Sequence, residues 1–383
     1  MKQKEIIIII LLFHFCATAN AQLLKPANYC SVGIFYDQDY TLEQLGFPQL
    51  NEDRNYTMGL GLYYASSSLE KWAIYKPHNW LMSKILKQPV TELAASYNFM
   101  LANGSYTPDS LHANTPIYND RPYASLNYFQ ANANYLNYKK HKMYTLSFSL
   151  GMLGTNISKE VQTFIHTHQN DGDTHDPRTP MGWQYQISNG GAPTFLLAYQ
   201  EDFLLTQNPI KLREDSSSVR INRLGGEWKF AWKANVGWYN MISTEISYRI
   251  GWIDPRNWTY KTNPLGSSNS LYGDNDKYDI LYKKPHKCEA YFFGTLRTNF
   301  IAYNVLLSGQ GGIDAVTIPN NWARHGVLDG AFGVCISPVL FHRVNIDCKG
   351  KFNFRSPEFE APGRNPRWHY WGGIELIVTM IHE

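Results

Sequence analysis

Residues 227–252 read EWKFAWKANVGWYNMISTEISYRIGW. In the first half Trp228, Phe230, Trp232, Val236 and Trp238 share one face, while Glu227, Lys229, Lys233 and Asn235 take the other. In the second half Thr244, Ile246, Tyr248, Ile250 and Trp252 oppose Ser243, Glu245, Ser247 and Arg249. A period of two over this length is the signature of extended strands with one apolar and one polar face. Two such strands, with aromatic residues at their ends, suit a wall whose greasy side meets lipid and whose polar side faces a lumen.

The same alternation recurs along the chain. Tyr144, Leu146, Phe148, Leu150 and Met152 oppose Thr145, Ser147, Ser149 and Gly151; Val344, Ile346, Cys348, Phe352 and Phe354 oppose Arg343, Asn345, Asp347, Lys349, Lys351 and Asn353; Ile374, Leu376, Val378 and Met380 oppose Gly373, Glu375 and Thr379. Candidate strands fall at 31–38, 57–66, 90–101, 125–137, 142–153, 192–204, 218–234, 236–252, 288–297, 299–308, 328–338, 342–355 and 369–381. Their length matches the ~9–11 residues of a tilted membrane strand better than the ~5–6 of soluble sheets. Closure of a bacterial barrel asks for an even number, so an all-β, antiparallel up-and-down transmembrane barrel of twelve strands is expected, some of these runs being merged. The chain ends without the terminal aromatic common in such barrels, the one feature against this reading.

Composition agrees. The 383 residues are 15% aromatic and 17% charged, with 35 Lys+Arg against 32 Asp+Glu. A charge so near zero, with no basic run, excludes an electrostatic nucleic-acid binder, and this aromatic content excludes disorder. Residues 1–21 read as a cleaved secretory signal, with Lys2 and Lys4, an apolar Ile6–Phe15 stretch and Ala19-Asn20-Ala21, leaving 22–383 as the barrel domain. Phe15 before Cys16 disfavours a lipoprotein. No later apolar run is long enough for a membrane helix. Cys30, Cys288, Cys335 and Cys348 allow three disulfide pairings and show no CxxC spacing for zinc; Cys348, on the apolar parity, also suits a free buried thiol.

Two segments break the strand pattern. Leu69–Lys87, with Trp72, Ile74, Trp80, Leu81, Ile85 and Leu86 among lysines, reads as an amphipathic helix or plug at one rim, or as a long turn. Asn156–His168 (NISKEVQTFIHTH) reads as a short loop helix with Asn156 or Ser158 as its cap; Gln162 and His166 then share a face as i and i+4. By parity Asp39 sits where the first strand enters its loop, and Thr57, in step with Gly59 and Gly61, is expected to face inward. The loop carrying His166 opens at the same end. A carboxylate, a hydroxyl and an imidazole at one rim are the parts of a hydrolytic site, histidine having the pKa that suits taking a proton from water, and the carboxylate suiting a hard cation such as Ca²⁺ that polarises an ester carbonyl. His168–Asp176 and Gly273–Asp276 are dense in oxygen ligands, yet the second lacks the distal Glu of a calcium loop, and both read as solvated loops. No GxSxG elbow occurs.

The blocks Tyr36-Asp37-Gln38-Asp39, Asp53-Arg54-Asn55-Tyr56-Thr57-Met58-Gly59, Asp120-Arg121-Pro122-Tyr123-Ala124, Glu160-Val161-Gln162 with His166, and Gly182-Trp183-Gln184-Tyr185-Gln186 occur in this order. Over residues 31–200 the chain resembles the outer-membrane lipid A 3'-O-deacylases. That resemblance implies a bacterial outer-membrane barrel, acting as a monomer among outer-membrane lipids, that hydrolyses the 3'-linked acyl ester of lipid A in lipopolysaccharide with the help of Ca²⁺. It implies His166 as general base, Thr57 and Gln162 as polar members of the catalytic site, Asp39 and Gln38 at the metal, and Asp120 and Arg121 at the same rim toward substrate. Two positions depart from the family: Gln38 stands where Asn is usual, and Asn103–Asn119 holds no Lys or Arg, so charge toward a substrate phosphate is expected from Arg121 or another loop. The alternative is a non-enzymatic porin or binding barrel on the same scaffold; a soluble secreted β-sandwich is the third reading.

Overall fold

The structure of the chain, a computed structural model, describes residues 29–38, 55–111, 113–137, 140–169, 180–208, 224–253, 258–259, 288–311, 316–340 and 344–381. Its strands are β1 (Tyr29–Gln38), β2 (Asn55–Ser66), β3 (Ala94–Thr107), β4 (Ala124–Asn137), β5 (Lys142–Leu153), β6 (Ala192–Asn208), β7 (Gly225–Gly237), β8 (Tyr239–Trp252), β9 (Cys288–Asn304), β10 (Gly326–Leu340), β11 (Val344–Arg355) and β12 (His369–Ile381). Each pairs antiparallel with its sequence neighbours, and β1 meets β12 to close the ring, Tyr29 opposite Ile381 and Gln38 opposite Gly372. The expected twelve-stranded up-and-down barrel is the observed one. The runs 288–297 and 299–308 merge into β9, which ends in the single helical turn Val305–Ser308. β3 begins four residues later than expected because Val90–Glu92 forms a 3-10 turn. The proposed signal, Asp39, and the loops 170–179 and 273–276 lie outside the described residues.

The alternation sorts as the wall requires. Val32, Leu62, Leu101, Leu150, Val236, Phe292 and Phe300 are exposed on the outer face. A row of bare aliphatic and aromatic side chains on every strand is stable only against hydrocarbon. Inside, Glu227, Lys229, Arg249, Asp329, Lys349, Lys351 and Glu375 are buried, and buried charges persist only when paired. Arg249 Nε lies 2.6 Å from Glu227 and its Nη1 3.3 Å from Glu289; Arg355 reaches Asp329 at 2.7 Å, Lys349 reaches Glu375 at 3.1 Å, and Lys351 reaches Asp37 at 3.3 Å. Gly373 makes the last contact feasible, since a Cβ there would overlap Asp37 Oδ1 and Lys351 Cε.

Three of the cysteines, Cys30, Cys335 and Cys348, are free, so no two of them are joined. Cys348 is exposed, where a buried thiol was expected, because its parity on β11 is the lipid-facing one.

The 67–93 connection is helical and packs on the outside of the barrel, at the end where Tyr29 and Ile381 lie. After 3-10 turns at Ser67–Lys71 and Ala73–Tyr75, helix α1 (Lys76–Leu86) starts with a proline in its first turn and stops at Lys87, whose φ of 54° is left-handed. His78 and Met82, one turn apart, are buried with Leu69 and Tyr75 against Tyr97, Ala131, Ala133, Tyr135, Tyr144 and Leu146 on the outer faces of β3–β5. Asn79 Oδ1 accepts the hydroxyls of Tyr97 (3.0 Å) and Tyr135 (2.6 Å), which fixes the helix to the wall.

Candidate active site

Outward positions near the opposite end of β3 and β4 break the apolar rule. On β3 the parity that carries Tyr97, Phe99 and Leu101 continues as Asn103, Ser105 and Thr107, and on β4 Phe129 is preceded by Asn127 and Ser125. Left bare toward lipid, such groups would cost several kcal/mol each. They are covered by helix α2 (Ile157–Gln169), which enters from β5 through Gly154. That residue has φ +70°, and a Cβ on it would overlap the Ser188 carbonyl. Asn156 precedes the first turn and its carbonyl accepts the Glu160 N–H at 3.0 Å, while Glu160 complements the helix dipole.

Ser158 is the clamp. Fully buried, it donates to Ser125 Oγ (2.7 Å) and accepts from Ser105 Oγ (2.7 Å) and Asn103 Nδ2 (3.1 Å). Asn103 also donates to Asn127 Oδ1 (2.8 Å), and Asn127 to Thr155 Oγ1 (2.5 Å). One turn on, Gln162 is buried with its Oε1 accepting from Trp183 Nε1 at 2.9 Å, and Trp183 packs on Tyr123 with centroids 4.8 Å apart. Residues 158, 162 and 166 therefore form one stripe of α2. His166 lies within the helix, one further turn along; its side chain is outside the described residues. Substituting Ser158 with leucine should remove the hydroxyl that ties the helix to Ser125, Ser105 and Asn103. The expected outcome is a loss of about 1–3 kcal/mol of local stability, read as faster amide exchange in α2 with the strands unchanged.

Thr57 departs from the inward expectation. Asn55 at φ 63° opens β2, and the register slips between Tyr56 and Met58, Tyr56 facing Tyr106 and Met58 facing Ser105. This bulge re-aims the side chain. Tyr56 points into the lumen against Trp371, and the Thr57 hydroxyl turns to the outer side, 2.6 Å from the Thr107 hydroxyl. Gln38, opposite Met58, shares that outer side and its Oε1 accepts the Tyr36 hydroxyl. Thr57, Gln38 and Gln162 are thus brought to the outer wall and its covering helix.

Asp120 and Arg121 lie elsewhere, at the mouth of the lumen. Asp120 accepts the backbone N–H of Asp109 and Arg121 and pairs with Arg364 at 2.8 Å. Arg121 is buried, 4.4 Å over the Tyr106 ring, and pairs with Glu358. Burial alone would raise the Glu358 carboxyl, but Arg121 and Arg355 outweigh it and hold the group below its ordinary 4.5. Because the folded pKa is the lower one, this contribution is complete above the unfolded value and is lost as pH falls through the folded value. Urea midpoints of the wild type should drop on acidification below about pH 4.5, and the drop should be smaller in Glu358→Gln.

Asn103, Ser105, Ser125 and Asn127 are not marked out by the sequence, and Ser158 reads there only as one of two possible helix caps. The available signal was the abrupt change from aromatic to amide and hydroxyl residues on the greasy parity of β3. Beside this polar ladder, the outer wall carries a groove of about 640 Å³ lined by Leu60, Leu62, Leu101, Phe129, Leu150 and Met152, with Asn103 and Asn127 at its polar edge. Among the described residues no three His, Cys, Asp or Glu side chains gather into a metal cluster.

Among solved structures, LpxR from Salmonella typhimurium superposes with a TM-score of 0.62 at 16% identity, over 92% of this chain and 100% of that one. The β domain of the Bordetella autotransporter BrkA (TM-score 0.37, 8% identity, 93% and 100% covered) and the NalP translocator domain from Neisseria meningitidis (0.36, 6%, 93% and 88%) share only the general barrel likeness. No curated protein sequence matches the chain significantly. The family model described as outer membrane protein LpxR matches residues 6–380. With the closed twelve-stranded wall, this shows that the chain belongs to the LpxR family of outer-membrane proteins.

Proposed function

We propose that this protein is an outer-membrane lipid A deacylase that hydrolyses the 3'-linked acyl ester of lipopolysaccharide. The observation that carries the reading is the polar ladder sealed between α2 and the lipid-facing wall, directly beside an apolar groove. An acylated sugar lying in the membrane fits that pairing: its chain stays in contact with Leu62, Leu101 and Leu150, while its ester meets the half-buried amides of Asn103 and Asn127 at the groove's polar edge. The lumen supports this reading over a porin, because its charges are spent on one another.

In this reading His166 takes a proton from the attacking water as general base. Gln162, held by Trp183, and Thr57, turned outward by the bulge, orient water and ester. Gln38, Thr57 and Thr107 offer only oxygen donors, the chemistry of a hard cation, and Asp39 would add the carboxylate. Ca²⁺ held there would polarise the ester carbonyl and offset the charge of its oxyanion. Arg121 would meet a substrate phosphate only by opening its pair with Glu358, and Asp120, which holds Arg364, would stand at the same mouth toward the sugar.

Mass spectrometry of lipid A from cells with and without the protein tests the proposal. Loss of one 3'-linked acyl chain, abolished by a calcium chelator, is expected; identical lipid A in both would overturn it.

A further inference from the structure

The outward surface of α1 and its preceding turns is unlike the rest of the connecting segments. Trp72, Ile74, Trp80 and Ile85 are exposed, Trp80 by 64%. Around them Lys71, Lys76, Lys84 and Lys87 are exposed and make no ion pair with any described residue. Across residues 67–93 they face only two acidic side chains, Glu70 and Glu92.

The place of this surface fixes what covers it. The buried side of the segment lies on β3, β4 and β5 where those strands would otherwise meet lipid, and Trp72 stacks on Phe99 at 6.0 Å. Farther along the same faces, Leu101 and Leu150 are bare. The exposed tryptophans and isoleucines therefore continue the lipid-facing belt at its terminal end. Indole rings and lysines interleaved on an amphipathic helix are the chemistry of a membrane interface, the rings at headgroup depth and the ammonium groups on phosphates.

We infer that Ser67–Lys87 is an interfacial anchor that binds anionic glycerophospholipid headgroups in the leaflet at the terminal end of the barrel, opposite the leaflet served by the candidate active site. Exposed apolar side chains would seat in the acyl boundary, and the four lysines would gather phosphate-bearing headgroups around the outer wall. This inference concerns the other end of the barrel and does not depend on the hydrolytic reading.

Native mass spectrometry of the full-length protein, released from micelles containing equal dioleoyl phosphatidylglycerol and dioleoyl phosphatidylcholine, tests it. Phosphatidylglycerol adducts are expected to exceed phosphatidylcholine adducts on the order of tenfold, four lysines near a headgroup plane each adding attraction. The quadruple variant Lys71→Gln, Lys76→Gln, Lys84→Gln, Lys87→Gln is expected to lose that preference while keeping the wild-type strand circular dichroism. Equal adducts of both lipids on the wild type, or an undiminished preference in the folded quadruple variant, would overturn the inference. Should the quadruple variant fail to fold, Lys84→Gln with Lys87→Gln is measured instead, and a full wild-type preference there would count against it equally.

Discussion

Replacing His166 with alanine is expected to slow deacylation by about 10²–10⁴, the range over which a positioned general base contributes. Three positions one turn apart, 158, 162 and 166, line one stripe of α2, and the first two are buried in polar contacts at the wall and with Trp183. The clamp at Ser158 sets the helix over the ladder, so the third position inherits its placement from the first. The pH profile separates a chemical role from a structural one. An imidazole accepts a proton only when neutral, so the wild-type rate should fall on acidification. The alanine variant should lose that acid limb along with the rate, while its folded, heat-modifiable band on a gel stays. A variant retaining full activity would remove His166 from the mechanism.

The second large effect lies in the lumen. Arg249, wholly buried, is shared between Glu227 at 2.6 Å and Glu289 at 3.3 Å and sits 5.0 Å from the centre of the Tyr291 ring. Its replacement by leucine leaves Glu227, itself fully buried, facing a lost partner. Breaking a buried pair in this way costs about 3–5 kcal/mol, whereas replacing both members with apolar residues is often close to neutral. The urea midpoint of Arg249→Leu, followed by tryptophan fluorescence in micelles, should fall steeply, and that of Arg249→Leu with Glu227→Leu should recover most of the loss. An unchanged midpoint in the single variant would show that the lumen stays wet enough to solvate Glu227.

Much of this architecture was legible beforehand, for a definite reason. Lipid on one side and a filled lumen on the other impose a period of two that few soluble sheets sustain, and Trp228, Lys229 and Phe230 already declare their sides. The loop helix was legible too, since Gln162 and His166 keep the period of 3.6. Thr57 shows where parity fails. A single inserted residue between Tyr56 and Met58 inverts the face, and strand alternation carries no mark of it. The 69–87 segment shows its amphipathic character in sequence, but whether it turns, plugs a rim or clothes the outer wall depends on Tyr97, Tyr135 and Tyr144 accepting it, a long-range fact. Asp120 and Arg121 share a conspicuous motif, yet their partners Arg364 and Glu358 lie more than two hundred residues away in the chain.

A cylinder stoppered by its own ion pairs has a consequence for the cell that makes it. Envelopes exclude detergents and many toxic solutes only while their barrels do not leak. With Arg249, Arg355, Lys349 and Lys351 cross-bracing the interior to carboxylates, the barrel is expected to conduct few ions in a planar bilayer, so that many copies would add little leak to that defence.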